Sequence, residues 1–390
     1  MQIVRQSILL GIFAVLLSSC AIFHFFQPAV QNKILDIADT KRLVQLGDPL
    51  TGINTAAKDF SVGVNSQNVP YVVYYTTNNS LQLYYYDKGT QKWTLSSTTA
   101  AFSGGYNAIL NFISDSPYVA FKDSSQWGRI YTFGSPTASP LFANAFTVGS
   151  YFFSYTTTPS GFHYIAYTTN IMGSNTVELF DNSAGSFQKN FSFSGVRSMN
   201  TVDNLDIKSD RDNNIFVLAQ FNSNAVMCKF DTGNTLTKYP FDGDMMGISF
   251  AIDGGNNLYY FYHHYDMAYI FKAYYDVRGT GNPSIDSYYA RELLTNGGVM
   301  FGQQTVAASK NAPYYCYCFT LQVFPADTNI SIFRVAPDGA FKNICLVYSN
   351  FSLMNDINLR MTVAPDGTLY MGSIRSNAQN GLHLIISKME

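Results

Sequence analysis

FSVGVNSQNVPYVVYY, residues 60–75, is a short alternating run, a turn of Asn, Ser and Gln, and then a second apolar run. The same shape returns in LDIKSDRDNNIFVLAQF (205–221), ISFAIDGGNNLYYFYH (248–263) and INLRMTVAPDGTLYMGS (357–373). Looser copies are ILNFISDSPYVAF (109–121), FFSYTTTPSGFHYIAY (152–167) and QQTVAASKNAPYYCYCF (303–319), making seven starts near 60, 109, 152, 205, 248, 303 and 357. A third strand follows in each copy and often closes on an aromatic–Asp pair: Tyr86-Asp87, Phe180-Asp181, Phe230-Asp231 and Tyr275-Asp276. A fourth, less regular strand comes next, as in KWTLSS from Lys92 or LTKYPF from Leu236.

Four strands in roughly 40–50 residues, with turn residues between them and no helical period, is the unit of a β-propeller blade. The repeat therefore predicts an all-β, seven-bladed β-propeller with four-stranded antiparallel blades, spanning residues 40–390 as one domain. The last copy has room for three strands before Glu390. TKRLVQLG (40–47) is free to supply the missing one and close the ring, which removes an open sheet edge. Composition agrees. In 390 residues, 47% are hydrophobic, 16% aromatic and 13% charged, with 28 Tyr and 31 Phe. Such residues fit a pleated, half-buried surface. YVVYYTTNNSLQLYYYD (71–87) holds six tyrosines and reads as second strand, turn and third strand of the first blade. Blades pack on both faces, so most of these rings are expected in the core.

The first residues predict export. Arg5 gives a positive n-region, Ile8 to Leu17 an apolar core, and LSSC (17–20) follows. The segment resembles a bacterial lipoprotein signal. That resemblance implies a signal peptide over 1–19, lipid attachment at Cys20, a lipidated tether over 20–39, and membrane association through the lipid. Ala21 after the cysteine implies the outer membrane of the cell envelope. The rival is an uncleaved signal-anchor, since Ile8 to Phe26 is nineteen residues without a formal charge, close to the roughly 20 that span a bilayer. Four cysteines remain, Cys228, Cys316, Cys318 and Cys345. They are expected as buried thiols acting as small hydrophobes, although an even number in an exported chain leaves a disulfide open.

The first blade, residues 64–97, is similar to the repeats of BNR-like and lectin-like propellers of secreted bacterial proteins. Pro70 to Tyr75, Leu83 to Asp87 and Trp93-Thr94 carry the match. Asp87, Gly89 and Trp93 partly follow the Asp box of sialidase-type propellers, with Trp93 one position late and no other copy keeping a Trp at that turn. The resemblance implies the fold and leaves the activity open.

No enzyme signature stands out, and no catalytic residue or cofactor is assigned. Ten arginines are scattered, and Glu178, Glu292 and Glu390 are the three glutamates. The Asp residues sit mostly at turns, where they bond their own backbone. Neighbours His263 and His264 in a strand face opposite ways and make a poor metal pair. Asp242 and Asp244 in FDGDMMG lack a third carboxylate for calcium, so no metal is expected. A net charge of −2 without a basic cluster excludes nucleic acid as a partner.

What remains is a binding surface. Trp127, Arg197, Asp242, Asp244, His263, His264, Tyr265 and Arg375 are expected in loops on one rim, and their types suit binding hot spots. The reading is a monomeric, exported, non-catalytic binding module for a glycan or an envelope protein. The alternatives are a sialidase-like glycoside hydrolase and an assembly scaffold.

Overall fold

The computed structural model describes residues 41–54, 59–101, 105–123, 127–134, 138–147, 153–171, 174–185, 187–194, 202–221, 224–233, 235–241, 245–265, 271–279, 291–295, 299–300, 304–309, 312–321, 328–335, 341–349, 359–377 and 381–390. Every regular element among them is a strand, and the architecture is an antiparallel all-β propeller. Consecutive strands group into sheets over 60–98, 105–147, 153–194, 202–241, 245–295, 299–349 and 359–389, called blades 1 to 7 here. The innermost strands touch in chain order, and that of blade 7 touches that of blade 1. Blade 6 departs from four strands. Val299–Met300 and Gln304–Ser309 both pair with Ala312–Leu321, so its first strand is split in two.

Near-continuous apolar runs arise because the second strands are packed on both faces. Val72, Val73, Tyr74 and Tyr75 are all buried in blade 1, as are Phe216 to Ala219 in blade 4. The other tyrosines of 71–87 are half-buried and hold one another. Tyr84 stacks on Tyr74 at 5.8 Å, and Tyr86 meets Trp93 edge-on at 5.4 Å. Three of the aromatic–Asp pairs sit where the third strand ends. Asp87 Oδ1 accepts from the Gly89 amide and Asp231 Oδ1 from that of Gly233, each closing the next turn. Tyr275-Asp276 differs, because Phe271–Gly279 keeps pairing with the second strand beyond it.

Leu43–Gln45 pairs with Gly381–Met389 on the outside of blade 7. From there the chain crosses to blade 1. Leu50 exchanges two main-chain bonds with Leu384 at 2.9 Å, and Asn54 donates to Tyr75 O at 2.8 Å. Leu46, Leu50 and Ile53 enter one apolar cluster with Phe60, Val62, Tyr74, Ile374, Leu384 and Ile386. Trp93 explains itself here, since its indole N–H donates to Leu46 O at 2.7 Å.

The lower rim carries the turns from first to second strand. Asn65–Asn68, Asp210–Asn213 and Asp253–Asn256 share a pattern in which the fourth amide donates to the first carbonyl. The fourth residue is left-handed, with φ 60° at Asn68, 65° at Asn213 and 64° at Asn256. Asparagine tolerates that conformation through its short polar side chain. Its amide has a second use. Asn213 Oδ1 accepts from Ser160 N of the preceding blade at 2.9 Å, and Asn256 Oδ1 accepts from Arg211 N at 3.1 Å. Asn68 Oδ1 accepts from Asp366 N at 3.0 Å, across the seam between blades 7 and 1. Asn213→Gly is expected to cost about 1 kcal/mol, the worth of the bond. Asn213→Ala adds roughly 1–2 kcal/mol of backbone cost. Urea midpoints of the two variants check this ordering, and a Gly variant as stable as wild type overturns the inter-blade role.

Candidate functional site

Inner strands of adjacent blades lie side by side without a ladder, which leaves main-chain groups to be satisfied by side chains. This accounts for polar residues in strands near the axis. Ser61 Oγ accepts from Leu110 N at 3.1 Å, and Ser154 Oγ accepts from Ile207 N at 3.3 Å. Thr157 Oγ1 donates to Phe112 O at 3.1 Å, Ser209 Oγ to Thr157 O at 2.6 Å, and Asn111 Nδ2 to Tyr155 O at 3.1 Å.

Where these strands end, a cleft of ≈ 440 Å³ opens on the lower rim. Blade 1 contributes Val62 to Val64, blade 2 Leu110 to Ser114, blade 3 Thr157 to Pro159, blade 4 Ser209 to Arg211 and blade 7 Thr362. Its volume is in the range of small-ligand sites. Phe112 is among the lining residues, and its ring packs into the seam between blades 1 and 2. That ring lies over bare backbone, since a Cβ at Gly63 would come within 2.8 Å of Phe112 Cε2. Tyr71 meets it edge-on at 5.2 Å. The tyrosine-rich hairpin is therefore mostly core, and one of its rings packs against Phe112. Asp210 is buried, with Oδ1 accepting from Asp212 N and Asn214 N and Oδ2 from Asn214 Nδ2. Arg211 is exposed, and its Nη1 donates to Gly254 O at 2.9 Å.

Behind the cleft wall lies His163, opposite Thr157 in the ladder of blade 3 and 3% exposed. Its Nδ1 is 2.7 Å from the Tyr155 hydroxyl, and Tyr118 meets its ring edge-on at 4.9 Å. Burial disfavours the charged ring and holds its pKa down to about 4. The unfolded chain, at about 6.5, binds more protons between those values, so stability rises with pH there. It is full above pH ~6.5 and lost as pH falls toward ~4, by about 2–3 kcal/mol. Melting midpoints across that window should fall for the wild type and stay flatter for His163→Gln; equal slopes refute the assignment.

At the upper end, Asp59 joins three blades. Its Oδ1 accepts from Phe60 N at 2.9 Å and lies 3.3 Å from Arg360 Nη2, while Oδ2 accepts from Ala108 N at 2.8 Å. Burial pushes its carboxyl pKa up, against the Arg360 charge and the amide bonds. Asp123 is buried and paired with Arg129 at 2.7 Å. Tyr75, buried nearby, feels both carboxylates. Arg, Tyr and Asp thus gather as a glycosidase would need, but Asp59 is buried against partners that tie blades together and Asp123 is buried against Arg129 of its own hairpin.

The residues expected on a binding rim fare differently. Trp127 opens the strand Trp127–Phe133, His263 to Tyr265 end Asn257–Tyr265, and Arg375 lies within Leu369–Asn377. They are strand residues, a correction to their expected place in loops. The physical reason is that these hairpins pair almost to their tips, as Asn377 with Gly381 shows. All lie toward the upper rim, on blades 2, 5 and 7, and no ladder joins them to one another. Arg197, Asp242 and Asp244 lie outside the described residues, as do Cys20 and the export segment. Among the described residues no three His, Cys, Asp or Glu side chains form a metal-binding group. Cys228 is a buried free thiol whose pKa burial raises to about 12. Cys316 and Cys345 flank Thr328–Val335 from either side, both opposite Ile332. Two strand spacings, ~9–10 Å, exceed the reach of a disulfide.

No protein-family model and no curated protein matches the sequence. Solved structures share the fold at low identity. Raptor of Chaetomium thermophilum has a TM-score of 0.57 at 15% identity over 92% of this chain, which spans 30% of that one. The WD40 repeats of RRP9 give 0.54 at 10% identity, covering 89% of this chain and all of that one. A PL25 ulvan lyase bound to -[GlcA(1-4)Rha3S]- also gives 0.54 at 10% identity, covering 88% and 95%. These are similarities of fold.

Proposed function

We propose that this chain is an exported, non-catalytic carbohydrate-binding propeller of seven blades, closed by its N-terminal strand and held at the cell envelope by lipid on Cys20. The observation that carries the carbohydrate reading is the lower-rim cleft, whose lining combines Phe112 with hydroxyl, amide and guanidinium groups. Sugars present apolar C–H faces and polar edges, and such a mixed lining suits them. A propeller in the same fold group binds a polysaccharide. A protein-assembly role would favour a contiguous apolar patch on a rim. The large hydrophobics exposed among the described residues, Leu95, Leu141 and Phe162, lie singly on blades 1, 2 and 3. The signal peptide over 1–19, the tether over 20–39 and an outer-membrane address rest on the sequence.

The test is a glycan array probed with residues 31–390 and two variants. Phe112→Leu keeps an apolar side chain but removes the aromatic face, and it is expected to abolish binding while Trp127→Ala retains it. The reverse pattern would move the site to the upper rim. A folded protein that binds no glycan would end the carbohydrate reading and return envelope proteins as ligands.

A further inference from the structure

We infer that the cleft takes a neutral, hydroxyl-rich saccharide and discriminates against sugars bearing carboxylate or sulfate; this deepens the carbohydrate reading above and rests on it. The lining contains one carboxylate and one guanidinium, Asp210 and Arg211, so its formal charges cancel. Arg211 already shares its Nη1 with Gly254 O. Two further carboxylates stand on neighbouring lower-rim turns. Asp115 accepts from Ser66 and Gln67, and Asp212 accepts from Asn256 Nδ2. The field at the mouth therefore gives an anion no advantage.

Hydrogen-bond polarity points the same way. Thr157 and Ser209 each spend their hydroxyl proton on a main-chain carbonyl of the neighbouring blade. A hydroxyl has one proton and two lone pairs, so what each has left for a ligand is acceptor capacity. A sugar hydroxyl can donate to it. A carboxylate or sulfate offers lone pairs alone, and burying unpaired acceptors against one another costs binding. The polysaccharide in the ulvan lyase complex carries a uronate and a sulfate. The expected preference here is opposite, and it follows from this chain's own lining.

The experiment uses the full chain on an array of matched oligosaccharide pairs, each neutral glycan beside its uronate- or sulfate-bearing counterpart. Binding confined to neutral members, changing less than about twofold between low and high salt because little charge is screened, supports the inference. Stronger binding to the charged members overturns it while leaving the carbohydrate reading intact. Silence on both members, with folding verified, overturns the two together. Ser209→Ala should weaken the neutral ligand roughly three- to tenfold, one hydrogen bond's worth, with Ser209→Thr restoring it. Melting midpoints measured alongside separate this from unfolding. Full affinity in a folded Ser209→Ala protein would overturn the acceptor role.

Discussion

Gly372→Val is expected to destabilise the protein by ~3 kcal/mol or more, at or beyond the upper end of ordinary overpacking costs. Gly372 lies in the second strand of blade 7, facing the first strand of blade 1. A Cβ built there meets Phe60 Cε2 at 2.4 Å, Val62 Cγ2 at 2.8 Å and Ile386 Cδ1 at 3.0 Å. Phe60 is fully buried, so its ring has nowhere to retreat. Strand propensity argues the other way, because valine is favoured over glycine in a strand. The sign of the result therefore decides between local preference and packing. Gly63→Val at the seam between blades 1 and 2 should cost less, since its nearest contact is 2.8 Å and the next are 3.2 and 3.3 Å. Gly134→Ala, with nothing within 4 Å of the added carbon, should be near neutral. Denaturant midpoints of the three variants give the order, and a Gly372→Val protein as stable as wild type would mean that the seam is not packed this way.

The repeat was legible because its signals are local. A left-handed Asn at the fourth turn position and alternation on either side lie within a few residues of each other, so Asn213 or Asn256 marks a hairpin without knowledge of the rest. Partners in other blades were not legible. Asn213 reads as a turn residue, and its bond to Ser160 of the preceding blade joins sites far apart in the chain. Trp93 was visible at the start of a fourth strand, while the carbonyl it serves belongs to Leu46. The cleft suffered most. Phe112 looks like any strand aromatic in ILNFISDSP. Its packing depends on Gly63 and Tyr71 in the blade before it. A usable signal would have been an aromatic just before a hairpin turn, in register with a glycine in the same strand of the preceding blade. The expected rim residues share types suited to binding, and residue type says little about whether a hairpin stays paired to its tip.

Removing the N-terminal strand should have the largest effect of all. A chain beginning at residue 55 loses Leu43–Gln45 and with it the ladder to Gly381–Met389. It also loses Leu46, Leu50 and Ile53 from the cluster between blades 7 and 1. Burying each such side chain contributes about 1.5–3 kcal/mol, so the three together account for ~5–9 kcal/mol. That is comparable with the whole stability of an ordinary domain, ~5–15 kcal/mol. The Trp93 indole would be left without its acceptor at Leu46 O. The outer edge of Gly381–Met389 would stand open to strands of other molecules. The truncated chain is therefore expected to be recovered as aggregate, or as a soluble species without a cooperative melt. Size-exclusion chromatography and thermal unfolding followed by circular dichroism distinguish these from a folded monomer. Supplying residues 41–54 as a separate peptide should restore part of the cooperative transition, because the strand would bind its vacant edge as it does when covalently attached. A truncated protein that melts like the full chain would show that the ring does not depend on this strand, and the closed-ring reading would have to be abandoned.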